Sequence, residues 1–214
     1  MVDKEIFLRI DNRLRIGRMR SLRSVGPWLL FCGAITCGGV ITDEEGTEAV
    51  ALNIAVVQGS LLEADAQVIV NAANSHGLMG GGVAGIIRRE AGFQVEEEAR
   101  KQAPIPVGMA VLTSGGRTKF RGIIHAPTMP EPAMRIPASN VGLATRAALT
   151  LADEQGYQSL AFPGLGTGVG KVSPGDAARE MLAEIKQFRS EFLQSVVLVD
   201  VDPAMVQAWR KELG

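Results

Sequence analysis

The sequence predicts an α/β fold in which a largely parallel sheet is covered by helices on both faces. Two observations predict it. From Leu52 onward, short apolar runs rich in β-branched residues alternate with longer segments of helical period. Two of those runs end in glycine-rich stretches that lead directly into helices.

Taken in order, residues 53–57 read as the first strand. Residues 67–70 read as a second, buried one that runs into Asn71-Ala72-Ala73-Asn74. Residues 83–103 have helical character, interrupted near Gly92. Residues 109–113 and 122–125 read as strands, 141–155 as an alanine- and leucine-rich helix, and 159–162 as a buried strand. An amphipathic helix follows over 174–188 and a last strand over 195–201. Pro203, whose fixed φ suits a first helical turn, opens the closing helix to Leu213. No internal repeat or low-complexity segment interrupts this order.

A chain of 214 residues can bury one sizeable core, with room for an appendage. The formal net charge of −1 offers no global basic field for a nucleic-acid backbone, so nucleic acid is not expected as a partner. Cys32 and Cys37 make neither a disulfide framework nor a zinc site, and His76 and His125 add little metal-binding capacity. No metal and no cofactor is therefore expected, and a reduced, cytoplasmic setting is the default.

The first 50 residues differ from the rest. Arg9, Arg13, Arg15, Arg18, Arg20 and Arg23 precede an apolar stretch from Val25 to Ile41. That order is what a signal peptide or anchor would show. Pro27, Gly33, Gly38 and Gly39 interrupt the stretch, it falls short of the ~20 residues a span needs, and Asp43-Glu44-Glu45 follows it. Residues 1–50 are expected to be an extension, poorly ordered or not native to the protein, and residues 51–214 the folded domain. No membrane association is expected.

The chemistry is concentrated in the two glycine stretches. The first runs from Val70 through Asn74, Ser75, His76, Gly77, Leu78 and Met79 to Gly80-Gly81-Gly82-Val83-Ala84-Gly85. The second is Phe162-Pro163-Gly164-Leu165-Gly166-Thr167-Gly168-Val169-Gly170-Lys171. In open α/β sheets ligands bind beyond the carboxyl ends of strands, where helix N-termini offer unpaired N–H groups. Glycines there let amides approach phosphate oxygens closely. Two such loops suit a ligand with more than one phosphate or sugar group.

Other nucleotide motifs fail letter by letter. A Walker A loop ending at Gly170-Lys171 would need glycine at Leu165 and a hydroxyl residue at Val172. The dinucleotide spacing fails at Val169 when counted from Gly164, and at Lys171 when counted from Gly166.

The ordered set Val70-Asn71-Ala72-Ala73-Asn74, Gly80 to Gly85, and Phe162-Pro163 with Gly166-Thr167-Gly168-Val169-Gly170 resembles the macro domain signature. The similarity extends from about Leu52 to Gly214. The resemblance implies a three-layer α/β/α domain whose mixed, mostly parallel sheet has about six strands. It implies ADP-ribose, free or attached to a protein, as the ligand. The second loop, Gly164, Gly166, Thr167, Gly168, Val169 and Gly170, would wrap the diphosphate. Asn74 with Gly80, Gly81, Gly82 and Val83 would meet the distal ribose. Ser60 and Leu61 lie where the family contacts adenine, and Val199 where an aromatic ring commonly stacks on it.

The chain departs from the family pattern in places. Ser60 stands where an aspartate is usual, and Val199 is aliphatic. Ala84 stands where many de-ADP-ribosylating members carry an aspartate that activates water, as in the Gly-Val-Ala-Gly type found among viral macro domains. Met79 stands where those viral members often have histidine. The resemblance implies either a slow hydrolase, removing ADP-ribose from modified proteins or deacetylating O-acetyl-ADP-ribose with Asn74 as the catalytic orienter, or a non-catalytic reader. A sensor of another nucleotide diphosphate is a third reading. Among the remaining polar residues, His76 reads as an exposed loop histidine and His125 as a hydrogen-bonded structural residue. Asn71 reads as a partner of loop backbone, and Glu96-Glu97-Glu98 as a solvated helix face.

Overall fold

A computed structural model describes residues 51–214 of the protein. The expectations placed on residues 1–50, including the arginine run, the apolar stretch and both cysteines, lie outside the described residues. The strands are β1 (Asn53–Gln58), β2 (Val68–Asn74), β3 (Val111–Ser114), β4 (Gly122–Met129), β5 (Ser159–Phe162) and β6 (Ser195–Asp200). The helices are α1 (Gly82–Ala91), α2 (Phe93–Lys101), α3 (Ser139–Glu154), α4 (Pro174–Gln187) and α5 (Pro203–Leu213). The six strands form one sheet in the order β1-β6-β5-β2-β4-β3. All neighbours run parallel except β3, which pairs antiparallel with β4 at one edge. The sheet is thus mixed and mostly parallel.

Two apolar clusters sandwich it. On one face Val68, Val70, Ile124, Leu160 and Leu198 pack with residues of α3, α4 and α5, including Leu149, Met181 and the fully buried Trp209. On the other, Ile69, Ile123, Ala161 and Val199 pack with Ala84, Ile87, Ala91 and Val95 of α1 and α2. The alternation Val68, Ile69, Val70 along β2 delivers side chains to opposite faces because successive strand residues point opposite ways. β4 is buried along its whole length, as a strand inside a two-sided sheet must be.

The helix ends follow local chemistry. Ser173 and Asp202 each accept a hydrogen bond from the first turn of α4 and α5, and each is followed by a proline in that turn. Gly92, at φ 102°, separates α1 from α2 where the sequence placed the break. β2 and β4 each run four residues further than expected, through Asn74 and Met129. A short 3-10 turn over Leu61–Glu63, not anticipated, follows β1.

A line of buried polar groups crosses the sheet. Asn71 on β2 and Val111 on β3 flank His125 on β4. Asn71 Nδ2 lies 3.0 Å from His125 Nδ1, and Thr113 Oγ1 lies 2.9 Å from His125 Nε2. With the Asn71 amide donating to Nδ1, the ring carries its proton on Nε2 and donates it to Thr113. His125 is structural, as its sequence context suggested. Asn71 pairs with this ring rather than with loop backbone, because at the middle of a parallel ladder its own neighbours are already bonded.

Burial pushes the pKa of His125 down from 6.5 to about 4, with the charge of Glu98 opposing. Below pH 6.5 the unfolded chain therefore binds a proton that the folded chain refuses until about pH 4. This contribution is fully present above pH 6.5 and is lost as pH falls toward 4, by roughly 3 kcal/mol at most. Denaturant midpoints of the wild type should fall between pH 7 and pH 4.5, and fall less in His125→Gln. Equal slopes in the two proteins would show that another group drives the loss.

Candidate functional site

β2 and β5 lie side by side at the centre of the sheet, and the chain leaves them in opposite directions. From β2 it passes through α1 and α2 toward β3 and β4, whereas from β5 it passes through α4 to β6 on the other side. Backbone diverging from adjacent parallel strands leaves a crevice at their carboxyl ends. A cleft of about 660 Å³ occupies this place, a size that suits a nucleotide-like ligand.

The loops on its two sides are those singled out in the sequence. Asn74, Gly80, Gly81, Gly82 and Val83 line one side, and Gly164, Gly166, Thr167, Gly168, Val169 and Gly170 the other. Gly81 is the N-cap residue of α1 and has no side chain to cap it, so the first N–H groups of that helix remain available at the cleft.

The glycines of the second loop do different work. Gly166 has φ 74°, and a Cβ there would stand 2.8 Å from Val141 and 3.1 Å from Ile136. A Cβ at Gly170 would meet Gly166 O at 2.6 Å. These two hold the loop down on α3 and the segment before it, aided by Val172 N donating to Gly166 O and Ile136 N to Gly170 O. Gly168 has no such constraint. A Cβ at Gly168, Gly80 or Gly81 would meet nothing within 4 Å. The packing of the chain therefore does not require glycine at these three positions, and the space beside them belongs to the cleft.

Asn74 ends β2 at a shift in the β2–β4 register, where a side chain can be re-aimed. Its Oδ1 accepts from His76 N at 3.1 Å and Leu78 N at 3.3 Å, and its Nδ2 donates to Leu78 O at 2.9 Å. These bonds fix the amide plane and leave the second N–H of Nδ2 free to meet a ligand or a water. His76 is exposed and bonds Glu131 at 2.9 Å.

Three residues expected at an adenine pocket do not line this cleft. Ser60 Oγ accepts from Leu62 N at 3.3 Å and caps the 3-10 turn. Leu61 and Val199, 8% and 2% exposed, are part of the α1/α2-side core. The inward face of β6 at Val199 is closed by that core, so the side chain offers no stacking surface. Asp200 and Asp202, not singled out in the sequence, do line the cleft. Asp200 accepts from Gly164 N at 3.0 Å and from Asp202 N at 2.9 Å, tying the second loop to the end of β6. Thr128 and Met129 at the end of β4, with Pro132 and Ala133 beyond it, form a further wall. The Thr128 hydroxyl is buried without a hydrogen-bond partner among the described residues. Their one sequence signal was the length of the β4 run, which the expected strand ended at His125.

Glu96 overturns the solvated-face reading. It is 6% exposed, accepts from Met79 N at 2.9 Å and pairs with Arg88 Nε at 2.8 Å. The fold of α2 back against the first loop puts this carboxylate inside, where it holds the residue preceding the glycine run. Glu98 is also engaged, accepting from Ser114 N and Oγ, so of the three only Glu97 reads as a solvated position. Among the described residues, no group of three or more His, Cys, Asp or Glu could hold a metal, and no helix is long and apolar enough to cross a membrane.

Comparison with known proteins agrees with this architecture. The sequence profile of the Macro domain family matches residues 70–181. A protein of Aquifex aeolicus (strain VF5) is 56% identical over 163 residues, which span 76% of this chain and 99% of that protein. A protein of Aeropyrum pernix is 47% identical over 146 residues, 68% of this chain and 77% of the other. Among solved structures, the Trypanosoma brucei macrodomain in complex with ADP-ribose superposes with a TM-score of 0.68 at 27% identity, covering 75% of this chain and 69% of that one. The Oceanobacillus iheyensis macrodomain with ADP gives 0.66 at 28% identity, covering 74% and 88%. The fold defines an α/β protein with an open crevice at the carboxyl ends of its central parallel strands. The chain belongs to the macro domain family.

The Glu96 contact is open to direct test. Glu96→Ala would leave the buried Met79 amide unpaired and Arg88 without its partner, costing about 1–3 kcal/mol. Glu96→Gln retains an acceptor for the amide and should lose less. Chemical denaturation of the three proteins checks the order, and a Glu96→Ala variant as stable as the wild type would dismiss it.

Proposed function

We propose that this chain binds ADP-ribose in the central cleft and slowly hydrolyses its bond to modified proteins, or deacetylates O-acetyl-ADP-ribose. The observation that carries the binding is the open space at Gly168, Gly80 and Gly81, three glycines that packing does not require. In this reading, amides of the second loop hold the diphosphate, and Asn74 with the start of α1 meets the distal ribose. The ADP-ribose and ADP bound by the two macrodomains above support the ligand class. The nucleobase would rest against the Asp200 and Asp202 side of the cleft, not against Val199.

The chemistry follows from what the first loop lacks. Ala84, 8% exposed on the first turn of α1, supplies no base. The two carboxylates lining the cleft stand at the end of β6, with β5 between them and β2. Water must therefore be positioned rather than deprotonated by a side chain, with the free N–H of Asn74 as orienter. For a glycosyl ester, the water oxygen bonds to the anomeric carbon and the carbon–carboxylate bond breaks. Its electron pair leaves on the carboxylate, and the water proton passes to bulk solvent. Without a general base, which typically contributes about 10²–10⁴-fold, turnover is slow. The same Ala84 favours the second reading, a reader that binds without turnover.

Two measurements decide. Gly168→Glu places a carboxylate among amides arranged for an anion and should weaken ADP-ribose binding by about 100-fold or more while the fold survives. Calorimetric titration with circular dichroism checks both parts, and unchanged affinity would move the diphosphate elsewhere. Release of ADP-ribose from a mono-ADP-ribosylated carboxylate should be measurable, and Asn74→Ala should slow it by about tenfold or more with less effect on affinity. Binding without any release above the uncatalysed rate would establish the reader.

A further inference from the structure

Among the described residues, three buried side-chain polar atoms have no hydrogen-bond partner: Asn71 Oδ1, Trp209 Nε1 and Thr128 Oγ1. Asn71 on β2 and Trp209 on α5 do not line the central cleft. Thr128 does. A buried hydroxyl without a partner is unfavourable, and valine would fill nearly the same volume without it. Packing therefore does not account for the oxygen.

The backbone singles out the same residue. Ala73 pairs with Pro127 and Asn74 with Met129, so Thr128 is the extra residue of a bulge in β4. A bulge turns a side chain out of the regular alternation of its strand, which is why bulges recur beside binding sites. Both flanks of this one are tied down. The Thr128 carbonyl accepts from Asn140 Nδ2 at 2.9 Å, and the Met129 carbonyl accepts from Ser75 N at 3.0 Å. Asn140 belongs to the first turn of α3, and Ser75 is the residue after Asn74. The bulge is thus pinned between α3 and the start of the first loop.

We propose that Thr128 is a specificity-determining residue of the central cleft, whose hydroxyl pairs with a hydroxyl of the ligand's distal ribose. The proposal rests on the placement of that ribose beside Asn74 given under the proposed function. Met129, the next residue after Thr128, stands opposite Asn74 in the ladder, so Thr128 borders the same end of the cleft. Thr128 is 1% exposed, and rotation about its Cα–Cβ bond carries the hydroxyl to the cleft without a shift of the pinned backbone. A sugar hydroxyl both donates and accepts, as threonine does, so the pair forms in either sense. The free N–H of Asn74 and the Thr128 hydroxyl, on neighbouring strands, then meet two hydroxyls of one ribose ring. A ligand that ends at the diphosphate leaves Thr128 buried and unpaired, and the site discriminates against it.

Calorimetric titration of the full chain with ADP-ribose and with ADP tests this. Thr128→Val should bind ADP-ribose about tenfold more weakly than the wild type and bind ADP equally well. Thr128→Ser and Thr128→Ala give a second comparison, in which the two variants differ by the hydroxyl alone. The serine variant should keep the preference for ADP-ribose over ADP, and the alanine variant should lose most of it. Equal preference in those two, or an ADP-ribose affinity unchanged in Thr128→Val, would overturn the role of Thr128 and leave the proposed function standing. Equal losses for ADP-ribose and ADP in Thr128→Val would assign the hydroxyl to the fold or to the diphosphate, against the proposal. A wild type that binds neither ligand would refute the proposed function and this inference with it.

Discussion

The parallel pairing of β2 with β5 is the constraint on which the rest of the site depends. Val68 opposite Leu160 and Ile69 opposite Ala161 join two strands whose connections leave in opposite directions. A crossover from either strand must cover a face of the sheet, and the two crossovers here travel away from each other. The gap between them cannot be filled by either. It is the cleft, and its floor is made by strands that are buried along most of their length.

Rigidity is then extended to the loops by specific contacts. The second loop is pressed onto α3 through Gly166 and tied to β6 through Gly164 and Asp200. The first is held by the internal bonds of Asn74 and by the carboxylate of Glu96 at Met79. What remains unconstrained is small: the tip around Gly168 and the bare stretch of Gly80 and Gly81. Loops fixed at their bases and open at their tips present amides with little reorganisation on binding, which favours affinity.

Function follows from the unequal equipment of the two sides. The side formed by the second loop is rich in amides and has its carboxylates occupied by backbone donors. The first-loop side has one fixed amide side chain, Asn74, and an alanine, Ala84, in the first turn of α1. On the proposed reading, such a site would stabilise and order a ligand better than it activates water, as a slow hydrolase does.

The sequence by itself determined the strand–helix alternation, the break at Gly92, both glycine loops and the family they mark. These are local properties, written in periodicity, turn chemistry and the order of short motifs. It also shows Ala84, on which the proposed slow chemistry rests. Only the tertiary structure decided which glycines are required for packing and which leave room, because Gly166 and Gly168 differ by contact with Val141 and not by local sequence. It moved Val199 from the expected pocket into the core, and Glu96 from a solvated face into the support of the first loop. Asp200, Asp202 and Thr128 reached the cleft through strand order, which brings together residues that are far apart along the chain. Side-chain environments of this kind depend on what a neighbouring element places opposite, and a linear pattern carries no record of it.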